Sequence, residues 1–319
     1  MAAGIPYPHG CRSGNCGACK SRLIGGDVEM SPYSEFALSA EERDAGLVLA
    51  CRSVPWQECA IAWLGEDEVI PHAIRHMTGR VAALDAMTHD IVRVRLNIVA
   101  GGPFDFSAGQ YCRVRFADLP ARDFSMANTP EEPLIEFHIR HVPGGATSSY
   151  VTETLALGEE VRLQGPFGTS WLREDHRGPI YALAGGSGLA PVKSIVEHAL
   201  AAGTTGGANQ DIHLYFGVRD ERDLYLEDHF AGLAAAHPNL RFIPVLSEPG
   251  GATDRRTGFL HTALDADVAD FDGCKAYLAG PPPMVEAAIA LLIERGMRRR
   301  DVHADAFYTE AEKADNEGP

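Results

Sequence analysis

Nine residues near the start of the chain hold three cysteines, Cys11-Arg-Ser-Gly-Asn-Cys16-Gly-Ala-Cys19, and Cys51 follows after a longer gap. Four residues separate the first pair and two the second. This C-x4-C-x2-C…C order suits four thiolates converging on a 2Fe–2S cluster. Cys11, Cys16, Cys19 and Cys51 are the expected metal ligands. Gly14 and Gly17 permit the sharp loop such a cluster needs. A zinc knuckle or a disulfide pair is the competing reading, but zinc sites usually use two short C-x2-C units, and only one is present.

Other stretches point to nucleotides. In Arg122-Asp-Phe124-Ser125-Met-Ala-Asn128, an arginine can hold a phosphate, an aromatic ring can stack on a flat heterocycle, and a hydroxyl can reach a ring nitrogen. In His138-Ile139-Arg140-His-Val-Pro-Gly144-Gly145-Ala-Thr147-Ser148, a strand ends in arginine. A glycine loop then opens a helix expected over Thr147 to Leu155, whose free N–H groups make an anion site. Gly185-Gly186-Ser187-Gly188-Leu-Ala-Pro191 lies between a predicted buried strand, Pro179 to Ala184, and a predicted helix from Pro191 to about Ala201. Glycines there let the backbone approach a pyrophosphate. Pro191 stands where the full dinucleotide fingerprint has its third glycine. Asp220, Glu221 and Asp223, after Arg219, would repel a 2′-phosphate and favour NADH over NADPH; Arg219 and Arg222 work against this.

The elements that must position these residues fall into three blocks. Residues 1–70 read as a small domain. Two short strands flank Gly25-Gly26 within Ser21 to Met30, Ser39 to Glu42 forms a capping box, a short helix stops near Gly46, and a buried strand, Leu47 to Ala50, delivers Cys51. Residues 71–173 hold short strands over 79–84, 91–99, 110–116, 134–140 and 160–164, punctuated by turn residues, which suggests an antiparallel barrel. Residues 174–309 alternate strands (211–217, 241–246, 276–279, 302–307) with helical stretches, the pattern of a parallel α/β sheet. Residues 310–319 form a polar tail.

The 319 residues suffice for two or three domains. Lys and Arg number 28 against 44 Asp and Glu, a formal charge of −16, which disfavours nucleic acid and anionic membranes as partners. Arg295, Arg298, Arg299 and Arg300 are one candidate local basic patch, read first as a solvated helix end. Of seven cysteines, Cys59, Cys112 and Cys274 are expected as isolated buried thiols. That usage, with no signal peptide or long apolar run, suits the cytoplasm.

The cysteine block resembles the plant-type ferredoxin module of β-grasp fold. Such modules carry a strand pair and a helix before the first ligand, and only Met1 to Gly10 precede Cys11, so the module is expected to be N-terminally truncated. The middle and last blocks resemble the FAD and NAD domains of ferredoxin–NADP reductase-like flavoproteins. That resemblance implies that Arg122 holds FAD phosphates, Phe124 (where Tyr is commoner) stacks on the isoalloxazine, and Ser125 sits near flavin N5 as the catalytic residue. It implies that His138, Ile139, Arg140, Gly145, Thr147 and Ser148 hold the ribityl and pyrophosphate groups, His138 mainly through backbone. For the nicotinamide nucleotide it implies Gly186, Ser187, Gly188, Arg219, and Gly280, Pro282 and Met284 of Ala279-Gly-Pro-Pro-Pro-Met284, in which Ala279 replaces the family's Cys. Phe307 would stand by the flavin.

The order ferredoxin–FAD–NAD resembles reductase components of bacterial Rieske ring-hydroxylating dioxygenases, most of all the naphthalene and salicylate oxygenase reductases. This implies a monomer that passes electrons from NADH to FAD to the cluster, and on to a Rieske-type ferredoxin or the oxygenase. A flavin must intervene, because NADH yields a hydride and the cluster accepts single electrons. The alternatives are a reductase for a di-iron monooxygenase, a redox sensor or metal-binding adaptor without enzyme activity, and a flavin diaphorase that has lost its cluster.

Overall fold

The computed structural model describes residues 7, 13–15, 17–35, 37–64, 72–204 and 209–308. Cys11 and Cys16, the acidic linker and the polar tail lie outside these. The chain divides into two compact units.

The first unit holds residues 1–71, 167–169 and 306–319. Its elements are β1 (Lys20–Gly25), β2 (Val28–Met30), α1 (Ala40–Asp44), β3 (Leu47–Leu49), β4 (Ser53–Pro55) and β5 (Ala60–Trp63). The capping box forms as the sequence predicts: Ser39 Oγ accepts from Glu42 N at 3.3 Å, and Ser39 N donates to Glu42 at 3.0 Å. The strands on either side of Gly25-Gly26 form but do not pair with each other. β1 lies between β3 and β5, while β2 pairs with β4. Gly26, at φ +81, packs against the backbone of Glu58 and Cys59, so the turn serves a crossing rather than a hairpin. Cys19, Leu38, Leu47 and Leu49 form the small core.

The second unit opens with a barrel of β6 (Arg75–Ala86), β7 (Ile91–Ala100), β8 (Tyr111–Phe116), β9 (Arg122–Ser125), β10 (Ile135–Arg140), the helix α2 (Ala146–Glu153) and β11 (Glu160–Phe167). The strand order is β10-β7-β6-β11-β8-β9. A bridge between Met126 and Phe137 brings the two edges together, so the antiparallel barrel is nearly closed. β10 is buried along almost its whole length. Side chains alternate across a strand: Ile135, Phe137 and Ile139 enter the barrel core, and Glu136 and His138 face the other way, yet are equally buried.

What covers that second face is the α/β layer: β12 (Ile180–Gly185), α3 (Leu189–Thr204), β13 (Ile212–Val218), α4 (Glu227–Ala236), β14 (Leu240–Leu246), β15 (Arg256–Thr257), α5 (Leu260–Asp267), β16 (Lys275–Gly280), α6 (Pro282–Glu294) and β17 (Val302–Ala306). The strand order is β15-β14-β13-β12-β16-β17, with parallel pairing from β16 through β12 to β15. All six residues of β12 are buried, as a central parallel strand covered on both faces must be. The order reverses between β12 and β16, the switch point where open α/β sheets bind ligands. Cys112 and Cys274 are buried as expected, whereas Cys59 is only half-buried. No helix among the described residues is long and apolar enough to cross a membrane.

Candidate functional site

In the first unit, Cys19 closes the turn that leads into β1, and Cys51 follows β3. The Cys51 N–H points at Cys19 Sγ, 3.4 Å away, and Ala50 N donates to the Cys19 carbonyl at 3.2 Å. An N–H directed at sulfur favours the thiolate that a metal requires. Gly17 holds φ +70, and a β-carbon there would lie 3.0 Å from the Ala37 carbonyl; at Gly14, φ +79, it would strike Arg52 and Tyr33. The loop is therefore tight where the cysteine spacing requires it, and these residues fit a cluster. Phe307 belongs to this unit and is half-buried, and its neighbour Tyr308 reaches Ser34 Oγ at 3.4 Å.

In the second unit, β9 pairs with β8, placing Ser125 opposite Tyr111 and Phe124 opposite Cys112. Ser125 is buried and its Oγ donates to Asp305 Oδ2 at 3.2 Å. The Phe124 ring packs edge-on to Phe116 and tilted to Phe137, at 6.2 and 6.3 Å. The end of this stretch is clamped from α3. Lys193 Nζ donates to the Ala127 carbonyl at 3.0 Å, and Ser194 Oγ donates to the Asn128 carbonyl at 2.6 Å. Asn128 in turn accepts from Glu136 N at 2.9 Å.

Along β10, the His138 side chain is fully enclosed rather than turned to solvent, and Ile139 is in the barrel core. The Arg140 guanidinium lies 2.9 Å from Asp90 and packs over Gly186, whose β-position it would contest at 2.7 Å. Gly145 begins α2, and no side chain caps that helix. Its first-turn N–H groups are those an anion would meet. The hydroxyls there are already partnered: Thr147 Oγ1 donates to the Pro120 carbonyl at 3.2 Å, and Ser148 Oγ accepts from Val142 N at 3.0 Å. Arg122 Nη1 donates to the Ala121 carbonyl at 3.0 Å.

At the switch point, Gly186–Gly188 forms one 3-10 turn between β12 and α3. A β-carbon on Gly188 would lie 2.0 Å from the Ala279 carbonyl, and one on Gly280 would lie 3.0 Å from the Gly185 backbone. Met284 packs over Gly185, its sulfur 2.5 Å from that residue's β-position. Pro282 starts α6. The two glycine loops thus meet in backbone contact, a cradle that fits a dinucleotide. Beside them runs a crevice lined by Pro191, Ala279, His303, Asp305 and Gly109. His303 is buried against the Tyr277 ring at 5.1 Å. Burial, reinforced by Arg173 and Lys275, drives its pKa far down, so it is neutral. Arg219 is exposed at the end of β13. Asp220 accepts from Glu221 N and Gly250 N at 2.8 and 3.1 Å, Asp223 accepts from Asp220 N at 3.1 Å, and Glu221 accepts from Thr253 at 2.8 Å.

Lys193, Ser194, Tyr225, His303 and Asp305 escape a sequence reading. Lys193 leaves one signal, a lone cation inside the apolar start of α3. Burial works against its charge, but Glu197 and Glu136 more than offset that and raise its pKa. The Asp305 role has no local signal, since its partner is 180 residues away.

Three domain families match the chain: the 2Fe-2S iron-sulfur cluster binding domain over residues 1–55, the oxidoreductase FAD-binding domain over 79–171, and the oxidoreductase NAD-binding domain over 182–289. The chain is 40% identical over 304 residues to the ferredoxin–NAD(P)+ reductase component of the naphthalene 1,2-dioxygenase/salicylate 5-hydroxylase systems of a Ralstonia species, covering 95% of this chain and 90% of that protein. It is 35% identical over 318 residues to the reductase component of propane 2-monooxygenase from Rhodococcus jostii, covering 97% and 85%. The crystal structure of the Amycolatopsis reductase GcoB superposes with a TM-score of 0.79 at 36% identity, covering 96% of this chain and 91% of that one. The chain is thus an iron–sulfur flavoprotein oxidoreductase that carries electrons from NADH through FAD to a 2Fe–2S cluster. With this identity across nearly its whole length, it belongs to the family of ferredoxin–NAD(P)+ reductase components of dioxygenase and monooxygenase systems.

Proposed function

We propose that this protein delivers electrons to a Rieske-type ferredoxin or directly to a ring-hydroxylating oxygenase, through sites built from the residues above. The observation that supports the acceptor is the 40% identity to the reductase component of the naphthalene 1,2-dioxygenase/salicylate 5-hydroxylase systems; the one that supports the site is the hydrogen bond from Ser125 to Asp305. It ties the barrel strand expected to face the flavin to the crevice beside Ala279 and Pro191, where the nicotinamide nucleotide would enter. FAD, when bound, supplies the exchange between a two-electron donor and a one-electron acceptor.

The chain's own residues bind, orient and exclude. Arg122 and the α2 N-terminus would hold the FAD phosphates, and the β10 backbone at His138–Arg140 would lie along the ribityl chain. Ser125, fixed by Asp305, would orient its hydroxyl toward the flavin's reactive edge. Lys193 and Ser194 hold the Ser125 stretch in place by gripping the carbonyls that follow it. Gly186–Gly188 would receive the NADH pyrophosphate on its backbone N–H groups, Gly280, Pro282 and Met284 would border the nicotinamide, and Arg219 would reach the adenosine half. Cys11, Cys16, Cys19 and Cys51 would hold the cluster.

Cys51→Ser tests the exit. It should abolish NADH-driven reduction of cytochrome c, which accepts from the cluster, while leaving ferricyanide reduction from the flavin. If both activities fell together, the cluster would not be the exit port. A second reading, service to a monooxygenase, is favoured by the 35% identity to the propane 2-monooxygenase reductase component. Reconstitution with each oxygenase class separates the two.

A further inference from the structure

Behind the flavin-facing stretch lies a buried polar chain that no step above uses. His138 Nε2 is 3.0 Å from Glu136 Oε1, and His138 Nδ1 is 3.1 Å from the Tyr225 hydroxyl. That hydroxyl is also 3.4 Å from the Gly186 carbonyl. Tyr225 therefore stands between a barrel histidine and the glycine turn at the sheet's switch point. The side chains of Glu136, His138 and Tyr225 are all buried.

Counting protons restricts the arrangement. Burial works against the charge of Glu136, but the His138 hydrogen bond and the charges of Lys193 and Arg93 outweigh it, so the carboxyl is ionised. An ionised carboxylate only accepts, so His138 Nε2–H donates to it. Burial, reinforced by Lys193 and Arg93 and opposed by Glu136, lowers the His138 pKa. The ring is then neutral at neutral pH, and its Nδ1 is an acceptor. Burial keeps the Tyr225 phenol protonated, and its one proton must go to Nδ1. Tyr225 then has no proton left for the Gly186 carbonyl. The shorter of the two contacts, 3.1 against 3.4 Å, is the one this state requires. Once the imidazole is protonated, Nδ1–H donates to the tyrosine oxygen, and the O–H turns to the Gly186 carbonyl.

We propose that the Tyr225 hydroxyl is a one-proton switch joining the two nucleotide sites: with His138 neutral it bonds the barrel, and with His138 protonated it bonds Gly186 and fixes the dinucleotide turn, which then grips the nicotinamide nucleotide more tightly. Gly186 sits at φ +54 and already accepts from Leu189 N. A second donor would hold it in that left-handed conformation, lowering the cost of ordering on binding. The charged groups facing the histidine are Glu136 from β10, Arg93 from β7 and Lys193 from α3, while Arg140 and Asp90 face the tyrosine. The inference rests on the reading of Gly186–Gly188 as the nucleotide turn. By linkage, nucleotide must also raise the proton affinity of His138.

The test uses the full-length holoprotein and NAD+. Calorimetric titration stepped down from pH 7.5, with nitrogen NMR marking the pH at which His138 takes its proton, should show wild-type affinity roughly three- to tenfold higher once that ring is charged, the worth of one hydrogen bond. Tyr225→Phe, which lacks one oxygen, should show no such change. Nitrogen NMR of the wild-type histidines at pH 7.5 should give the Nε2–H tautomer for His138. A pH slope retained in Tyr225→Phe, or an Nδ1–H tautomer, would overturn the switch. Unaltered NAD+ affinity in Gly188→Ala would instead overturn the nucleotide reading of the turn, and with it the effect on affinity; the tautomer measurement needs no nucleotide and tells the two failures apart.

Discussion

Replacing Gly188 by alanine is the sharpest perturbation of the nucleotide turn. Its new methyl would sit 2.0 Å from the Ala279 carbonyl oxygen, 2.4 Å from that carbonyl carbon and 2.8 Å from Gly280 N. All three atoms are backbone of β16, and none can rotate away. Ordinary contact begins at 3.4 Å, so the turn and the strand must part by about 1.4 Å. Overpacking of this kind costs about 1–3 kcal/mol. The displaced groups are those proposed to hold NADH, and a shift of about 1 Å at a reacting site costs on the order of a hundredfold in rate. Gly185→Ala is the internal comparison. Its neighbours are the Met284 sulfur at 2.5 Å, in an adaptable side chain, and the Pro281 ring at 2.9 Å, a milder overlap than the backbone atoms met at Gly188, so the loss should be smaller than in Gly188→Ala. The assay is NADH–ferricyanide steady-state kinetics, with flavin absorbance recording FAD content. Gly188→Ala should keep its FAD, because the barrel is untouched, and lose about a hundredfold in kcat/KM. A folded Gly188→Ala protein within twofold of wild type would refute the placement of NADH on this turn.

Two further outcomes follow from buried polar contacts. Lys193→Met leaves Glu136 and Glu197 facing one another without their shared cation, which lies 3.6 and 3.0 Å from them; with side-chain exposures of only 8% and 7% for Lys193 and Glu136, the cost should be about 3 kcal/mol. Calorimetry should show Tm lower by about 6–10 °C, with more than half recovered in Glu136→Gln/Lys193→Met, and a single variant melting within a degree of wild type would exclude the bridge as a support. Ser125→Ala and Asp305→Asn should each lower kcat about ten- to a hundredfold, the value of a hydrogen bond to a charged group, with little change in KM for NADH; stopped-flow flavin reduction at wild-type speed in both would remove the pair from the site.

Some of this protein is written locally. The cysteine spacing, the strand–glycine turn–helix at Gly185–Pro191, and the capping box at Ser39–Glu42 each lie within a few residues, because a tight turn, a helix start or a ligand loop is closed by near neighbours in the chain. Domain order could be read for the same reason, since the matched family segments follow one another along the chain. What tertiary structure alone decided is which faces meet. The sequence around Gly25-Gly26 suggests a hairpin, but β1 and β2 went to different sheets, because core packing and the approach of Cys59 to Gly26 outweigh the turn. His138 reads as a strand residue that would meet the cofactor mainly through its backbone, and only the arrival of α3 and Tyr225 on that side of β10 makes it a buried proton-bearing group. Ser125 and Asp305 are bonded across 180 residues. A strand's alternation says which side chains share a face, but what packs against that face depends on the whole chain's topology, and that is where the surroundings of Ser125 and His138 were settled.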